Sequence, residues 1–301
     1  MMIKFNPGLG RFTDRQSAQA FTLTDLLFTI IAVGILAVLG LSLHASVGKQ
    51  SSRADCANNL RQIGVAALIY AKDNADKLPY IKYSSTGSLW YPYEMMRLGS
   101  ATQISMGPEG VGMLWEAQLL KDGRVFYCPA NQNDASNPFT YEYYDSPAHP
   151  WPYGVVDNNS GGNLYVRSGY VYFPQNKVLE TSAISIPGLP SVGLVYLPAV
   201  NPKDTSAAVT TWNVLVPMKI SQMDPTKSMV TDNDISNNLL SHSGSSEILG
   251  VNALFGDGHV TWQSVQRVPT AFNPGLWTSL NAGFAPSGQT DWRYIQYIWQ
   301  P

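Results

Sequence analysis

The chain has 301 residues with 19 basic and 21 acidic side chains, a formal net charge of −2 and a charged fraction of only 13%. Near-neutrality and the lack of a long basic run argue against nucleic-acid binding. The charged fraction lies well below the roughly 25% of ordinary soluble domains. With 25 Gly and 20 Pro, it suggests a loop-rich extracytoplasmic surface rather than a cytosolic enzyme.

A polar, basic leader carrying Lys4, Arg11 and Arg15 runs through the small Ala20 into Phe21-Thr22-Leu23-Thr24-Asp25. From Leu26 to Leu43 there follow 18 residues without a charge. As a helix rising about 1.5 Å per residue, that run is long enough to cross most of a bilayer core. Asp25 stands at its very start, where a carboxylate is costly without a partner. A signal peptide is cut after its apolar stretch, whereas here the small residue precedes it. Cutting at Ala20 leaves the apolar helix on the mature chain.

The apolar run continues as an amphipathic pattern. Cys56, Leu60, Ile63, Ala67 and Tyr70 fall at i, i+4, i+7, i+11 and i+14, one face of a helix. Asp73, Asp76 and Pro79 supply a polar stop and a breaker. The spacing predicts one helix over 21–76, membrane-spanning in its first half and packed on a head in its second.

Beyond it the pattern is of short strands in long loops. Strands are expected at 124–127, 168–173, 193–197, 211–216, 228–231, 251–255 and 259–263. Asp257-Gly258 between the last two signals a hairpin with a type I′ turn. Residues 130–165, rich in Asn, Asp, Ser, Pro, Tyr and Gly, are expected as exposed loop. The architecture implied is α+β: a leader 1–20, a helix 21–76, and a β-rich, loop-rich extracytoplasmic head 77–301.

Cys56 and Cys128 are the only cysteines. In an oxidising compartment two thiols form a disulfide if their Cα atoms come within range. Two buried free thiols are the alternative, and the spacing leaves both open. The richest polar cluster is Asp232, Asp234, His242, Asp257 and His259. If the strand at 228–231 pairs near the terminal hairpin, Asp232, His242 and Asp257 converge on a calcium or other divalent ion, since carboxylate oxygens suit hard cations. A turn at Asp257 with structurally bonded histidines accounts for the same residues. No catalytic residues are assigned: serines are common, but no Gly-x-Ser-x-Gly elbow is present. Aromatic groups at 90–93, 141–144, 151–153 and 292–299 suit either a stacking, adhesive surface or a core.

The start of the chain resembles the type IV pilins and type II secretion pseudopilins. In that family a prepilin peptidase cuts before a phenylalanine, the new terminus is methylated, and a glutamate five residues in pairs with a neighbouring subunit's terminus. The resemblance implies a cut between Ala20 and Phe21, with Asp25 in the glutamate's place. The chain departs from the family in having alanine for glycine before the cut and aspartate for the longer glutamate. Cys56-Ala57-Asn58-Asn59-Leu60-Arg61-Gln62-Ile63-Gly64 is similar to a segment of the pilin-like family of planctomycetes and verrucomicrobia. Gly112-Met113-Leu114-Trp115, Val125-Phe126-Tyr127-Cys128-Pro129 and Asn252-Ala253-Leu254-Phe255-Gly256-Asp257-Gly258-His259-Val260 add to it. That family's terminal motif sets nine residues between a histidine and an Asp-Gly pair. Here 14 residues lie between His242 and Asp257, and a loop insertion at 246–250 explains the difference. Some pseudopilins also hold calcium in a C-terminal loop.

The implied function is a non-enzymatic structural subunit of a type IV pilus or secretion-type filament. It inserts in the inner membrane as a precursor and assembles outside the cytoplasm with copies of itself and other pilins. The competing function is a membrane-anchored extracytoplasmic binding or adhesion module that does not polymerise.

Overall fold

The computed structural model describes residues 22–301 apart from 81, 84–91, 101–102, 132–136, 148–149, 154–156, 160–162, 181–192, 194, 199–212, 215–217, 235–239, 244–247, 278–293 and 300. Ala20 and Phe21, the expected processing site, lie outside the described residues. The chain divides into two compact units, Met1–Gly48 and Lys49–Pro301.

Helix α1 covers Leu23–Asp73. Its start is set by a capping box between Thr22 and Asp25. The Thr22 backbone N–H and hydroxyl donate to Asp25 Oδ2 at 3.1 and 2.7 Å, and the Asp25 N–H donates back to Thr22 Oγ1 at 3.2 Å. In the first unit the large apolar side chains from Leu23 to Leu36 all lie on the surface, Leu23 at 85% exposure and Phe28 at 68%.

The expected fold class, led by a long N-terminal helix that is membrane-spanning in its first half, is corrected. Among the described residues no helix is long and apolar enough to cross a membrane. From Lys49 onward the helix is a polar-and-apolar element of the head, and β-sheets carry that unit's architecture.

In the head, Cys56, Leu60, Ile63, Ala67 and Ala71 are fully buried. Gly64 sits on the same face, where an added Cβ would come within 3.1 Å of the Leu254 side chain. A helix residue without a side chain thus lets α1 close on the sheet. After Asp73 the chain turns with Ala75 and Asp76 at positive φ, and the Asn74 amide donates to the Tyr70 carbonyl at 2.7 Å.

The strands, in chain order, are β1 Lys82–Tyr83, β2 Glu94–Ser100, β3 Gln103–Pro108, β4 Asp157–Asn159, β5 Asn163–Arg167, β6 Tyr170–Tyr172, β7 Gln175–Glu180, β8 Val195–Pro198, β9 Asn213–Val214, β10 Ser228–Asp232, β11 His242–Ser243, β12 Ile248–Phe255 and β13 Val260–Ser264. A short helix, α2, covers Gly112–Glu116. All the strand pairs are antiparallel. One sheet has the order β3-β2-β5-β4, and β1 pairs with β9 and β7 with β8.

The sheet that builds the site is centred on β12. One edge of β12 pairs with β13 over residues 250–254. The other edge is shared by two strands: β11 opposite 248–250 and β10 opposite 253–255. β6 continues the sheet beyond β10, with Asp232 opposite Tyr170. The end of β10 and the start of β11 therefore meet on one edge of β12, beside Asn252.

Several expected elements differ. Residues 124–127 are not a strand: Gly123–Phe126 is a 3-10 helix, because Asp122 accepts the Arg124 N–H at 3.0 Å and winds the chain. The β12–β13 turn is not type I′. Only Gly258 has positive φ, at +93°, and the three-residue loop 256–258 closes with the Gly258 N–H on the Phe255 carbonyl at 2.9 Å. Ile248–Gly250, expected within a loop insertion, belongs to β12. Residues 130–165 are not simply exposed loop: Phe139 and Tyr144 are core, and β4 lies at 157–159.

Candidate metal centre

Four buried side chains from four elements meet beneath α1: Cys56, Cys128, Asp232 and His242. One donor atom from each lies within 4.8 Å of every other. Cys56 comes from the buried stripe of α1. Cys128 is set between the 3-10 turns Gly123–Phe126 and Pro129–Asn131. That segment is held by the Gly169 N–H and the Ser168 hydroxyl, both donating to the Phe126 carbonyl at 2.9 Å. The Tyr127 carbonyl accepts from the Asn59 amide of α1 and from the Tyr170 hydroxyl of β6, each at 3.2 Å. Helix, turn and sheet are thereby locked around the Cys128 thiol.

Asp232 ends β10 and is fully buried. Its Oδ2 accepts the Asn252 backbone N–H at 2.6 Å and the Asn252 amide at 3.1 Å, and its Oδ1 accepts the Cys56 thiol at 2.6 Å. His242 Nε2 lies 3.3 Å from Asp232 Oδ2 and 3.3 Å from Cys128 Sγ. The Trp262 ring meets the His242 imidazole edge-on at a centroid distance of 5.4 Å. The Tyr170 hydroxyl is 3.4 Å from Cys56 Sγ. Over the top runs a cleft of about 480 Å³ lined by Arg53, Ala54, Ala57, Arg61, Asn252, Val260 and Trp262. The Arg53 guanidinium stacks 4.3 Å above the Trp262 ring.

Burial and charge oppose each other here. Burial lowers the His242 pKa, but the charge and hydrogen bond of Asp232, with the Cys128 thiol, outweigh it and raise the imidazole to about 10. Burial raises Cys128, yet the hydrogen bond with Cys56 and the contact with His242 bring it down to about 7. Burial, then the Cys128 hydrogen bond and the Asp232 charge, push Cys56 well up. One thiol is thus poised as a thiolate beside an imidazole and a carboxylate.

Cys-His-Asp neighbours also make a nucleophilic triad in enzymes. Here the thiols are at most 2% exposed and the carboxylate is fully buried, so the four groups form an enclosed cluster.

The structure joins Asp232 and His242, as expected, but with the two cysteines rather than with Asp257. Asp257 sits at the β12–β13 turn, half-exposed, with its Oδ1 bonded to His259 Nδ1 and to the His259 N–H. The donor set is therefore two sulfurs, a nitrogen and a carboxylate, not the oxygen-rich set calcium prefers. Cys56 and Cys128 are neighbours and both are free thiols. Asp234 turns to another network, accepting from the Thr231 hydroxyl at 3.1 Å and the Gln296 amide at 3.0 Å. Asp25 is exposed and engaged in its own helix cap.

The spacing of Cys56 and Cys128 gave no metal signature, because the four donors come from separate segments and only sheet pairing assembles them. A signal was present in residue type and place: Cys56 on the expected helix stripe, with Cys128 and Asp232 each at the end of an expected strand, whereas His242 stood in no expected element. Of the aromatics that suited either a core or a stacking surface, those among the described residues are largely interior. Tyr93, Tyr144, Tyr294 and Trp299 are buried, and Tyr141, Tyr143, Trp151 and Tyr153 pack against the core. Compared with protein-family models, with curated proteins and with solved structures, the chain finds no match.

Proposed function

We propose that this chain is a structural subunit of a pilin-like filament, processed before Phe21 and assembled by packing its N-terminal helix against other copies. The observation that carries the reading is the surface of the first unit. Leu26, Leu27, Phe28, Ile30, Ile31 and Leu36 all stand at least half-exposed on one helix. Fully burying each is worth about 1.5–3 kcal/mol, so this helix gains a great deal from association. A contiguous apolar surface of this kind marks an interaction site.

Asp25 has two roles in this reading. It closes the capping box of its own helix, and it meets the amino terminus of a neighbouring subunit, where an unpaired carboxylate in an apolar bundle is disfavoured. Two variants separate these roles. Thr22→Val breaks the box and keeps the charge, so it still forms filaments. Asp25→Ala removes both, so it accumulates without assembling. Normal filaments from Asp25→Ala would remove the register role. The subunit reading itself is tested by mass spectrometry of the mature protein and electron microscopy of cell-surface fractions. N-methylated Phe21 and filaments containing the chain support it. An intact Met1 on a monodisperse, non-polymerising protein overturns it.

A further inference from the structure

We infer that Cys56, Cys128, His242 and Asp232 bind one zinc ion, which staples helix α1 to the β12-centred sheet. The argument rests on donor chemistry, spacing and support, and does not depend on filament assembly.

Two thiolate sulfurs, an imidazole nitrogen and a carboxylate oxygen suit a borderline-soft, four-coordinate ion, and zinc takes this mixture in closed structural sites. Zinc–ligand bonds of about 2.0–2.3 Å set tetrahedral edges of roughly 3.3–3.8 Å between donor atoms. Cys128 Sγ to His242 Nε2 is 3.3 Å, an edge of that length, and His242 Nε2 also lies 3.3 Å from the non-ligating Oδ2 of the Asp232 carboxylate. The Cys56 Sγ to Asp232 Oδ1 contact is shorter, at 2.6 Å. Here the thiol proton bridges the two atoms, and exchanging that proton for the cation lets them separate to an edge length. Binding exchanges the thiol protons and the imidazole proton for a metal ion, as ligand deprotonation requires.

The outer contacts are those of a supported site. The Asn252 backbone and amide both hold Asp232 Oδ2, leaving Oδ1 to the sulfur side. The Tyr170 hydroxyl lies against Cys56 Sγ, and the Trp262 edge fixes the His242 ring. Such partners orient ligands and tune affinity. The four ligands are also far apart in the chain, the first two being 72 residues from each other. One ion therefore joins the helix, the Cys128 turn, β10 and β11.

The test uses the full chain, purified without chelator and under reducing conditions. Elemental analysis should give about one zinc per chain. Both thiols should resist alkylation until a chelator is added. Replacing zinc by cobalt(II) should produce the visible absorption of a tetrahedral site together with thiolate charge-transfer bands. Cys128→Ser and His242→Ala should each lose stoichiometric zinc, while Asp257→Asn keeps it. Asn252→Ala, which removes a supporting contact and no ligand, should weaken zinc affinity by about 10–100-fold. If the ligand variants fail to fold, the wild-type zinc content, thiol protection and cobalt spectrum still decide the matter. Wild-type protein that holds no zinc, both as purified and after dialysis against zinc under reducing conditions, overturns the assignment. So does a Cys56–Cys128 disulfide found by peptide mass mapping in that protein, or zinc retained at full stoichiometry by a folded Cys128→Ser.

Discussion

Asp232→Ala should be among the most damaging single changes in the head, and the structure sets its size. The carboxylate accepts from the Asn252 backbone N–H at 2.6 Å, the Asn252 amide at 3.1 Å and the Cys56 thiol at 2.6 Å, and it faces His242 Nε2 at 3.3 Å. All of these groups are buried, so water cannot replace the lost acceptor. Removing one partner of a buried charged pair costs about 3–5 kcal/mol, because the other is left uncompensated. For a unit of this size, about 2 °C of melting temperature accompanies each kcal/mol. The expected drop is thus roughly 6–10 °C. It is read by tryptophan fluorescence during thermal unfolding, with Asp257→Asn as a control that removes a carboxylate charge at the surface. Added zinc should widen the gap between wild type and Asp232→Ala, since a ligand that binds only the folded state stabilises it by mass action. A loss below about 2 °C, under half of the smallest change expected, would refute the claim that this cluster holds the helix to the sheet.

Leu60→Ala, at a fully buried position of the α1 stripe, should cost about 2–5 kcal/mol. It should lower the urea midpoint with an unchanged slope, and a shift equivalent to less than about 1 kcal/mol would mean that the helix is not seated there. Trp262→Ala removes the ring that meets His242 and carries Arg53. The ring is half-buried, so its loss should destabilise the head by about 1–2 kcal/mol through the ring and cation–π contacts, and a near-neutral result in urea unfolding would show that neither contact supports the head. The Asp257–His259 contact makes a pH prediction. Burial raises the Asp257 pKa, but the His259 N–H, its ring and its charge together outweigh burial and hold the carboxyl below its usual range. A depressed folded-state pKa means that the contribution is complete above the unfolded value near 3.9 and is lost as pH falls through the folded one. The pair is half-exposed, so its worth is at most about 1 kcal/mol. Wild-type and Asp257→Asn stability, measured across pH, should differ above about pH 5 and converge below about pH 3.

The helix stripe was legible in the sequence because it is local: Cys56, Leu60, Ile63 and Ala67 repeat with the helical period, and all are buried. So were the strands expected at 228–231, 251–255 and 259–263, which overlap β10, β12 and β13, because β-branched and aromatic runs there are bounded by turn-forming residues. The error at 124–127 has a local cause too: Val125-Phe126-Tyr127 has strand composition, but the Asp122 side chain captures the Arg124 N–H and turns the chain into a 3-10 helix. The membrane-spanning expectation rested on the absence of charge over 26–43. Among the described residues no helix is long and apolar enough to cross a membrane. Burial of the aromatic segments was likewise invisible, since Tyr144 or Trp299 has the same identity in a core as on a surface.

Residue type alone determined that this chain carries an apolar N-terminal helix segment with a carboxylate at its head, and two cysteines with a histidine and aspartates downstream. Only the tertiary structure decided which of them meet. Asp257 and His242 are nearer in sequence than Cys56 and His242, yet the hairpin carries Asp257 to an exposed turn while β10 and β11 share one edge of β12. That pairing brings Asp232 and His242 side by side, and the packing of α1 and the Cys128 turn closes the two thiols over them. Hydrogen-bond register between strands, which no spacing along one segment encodes, is the physical reason.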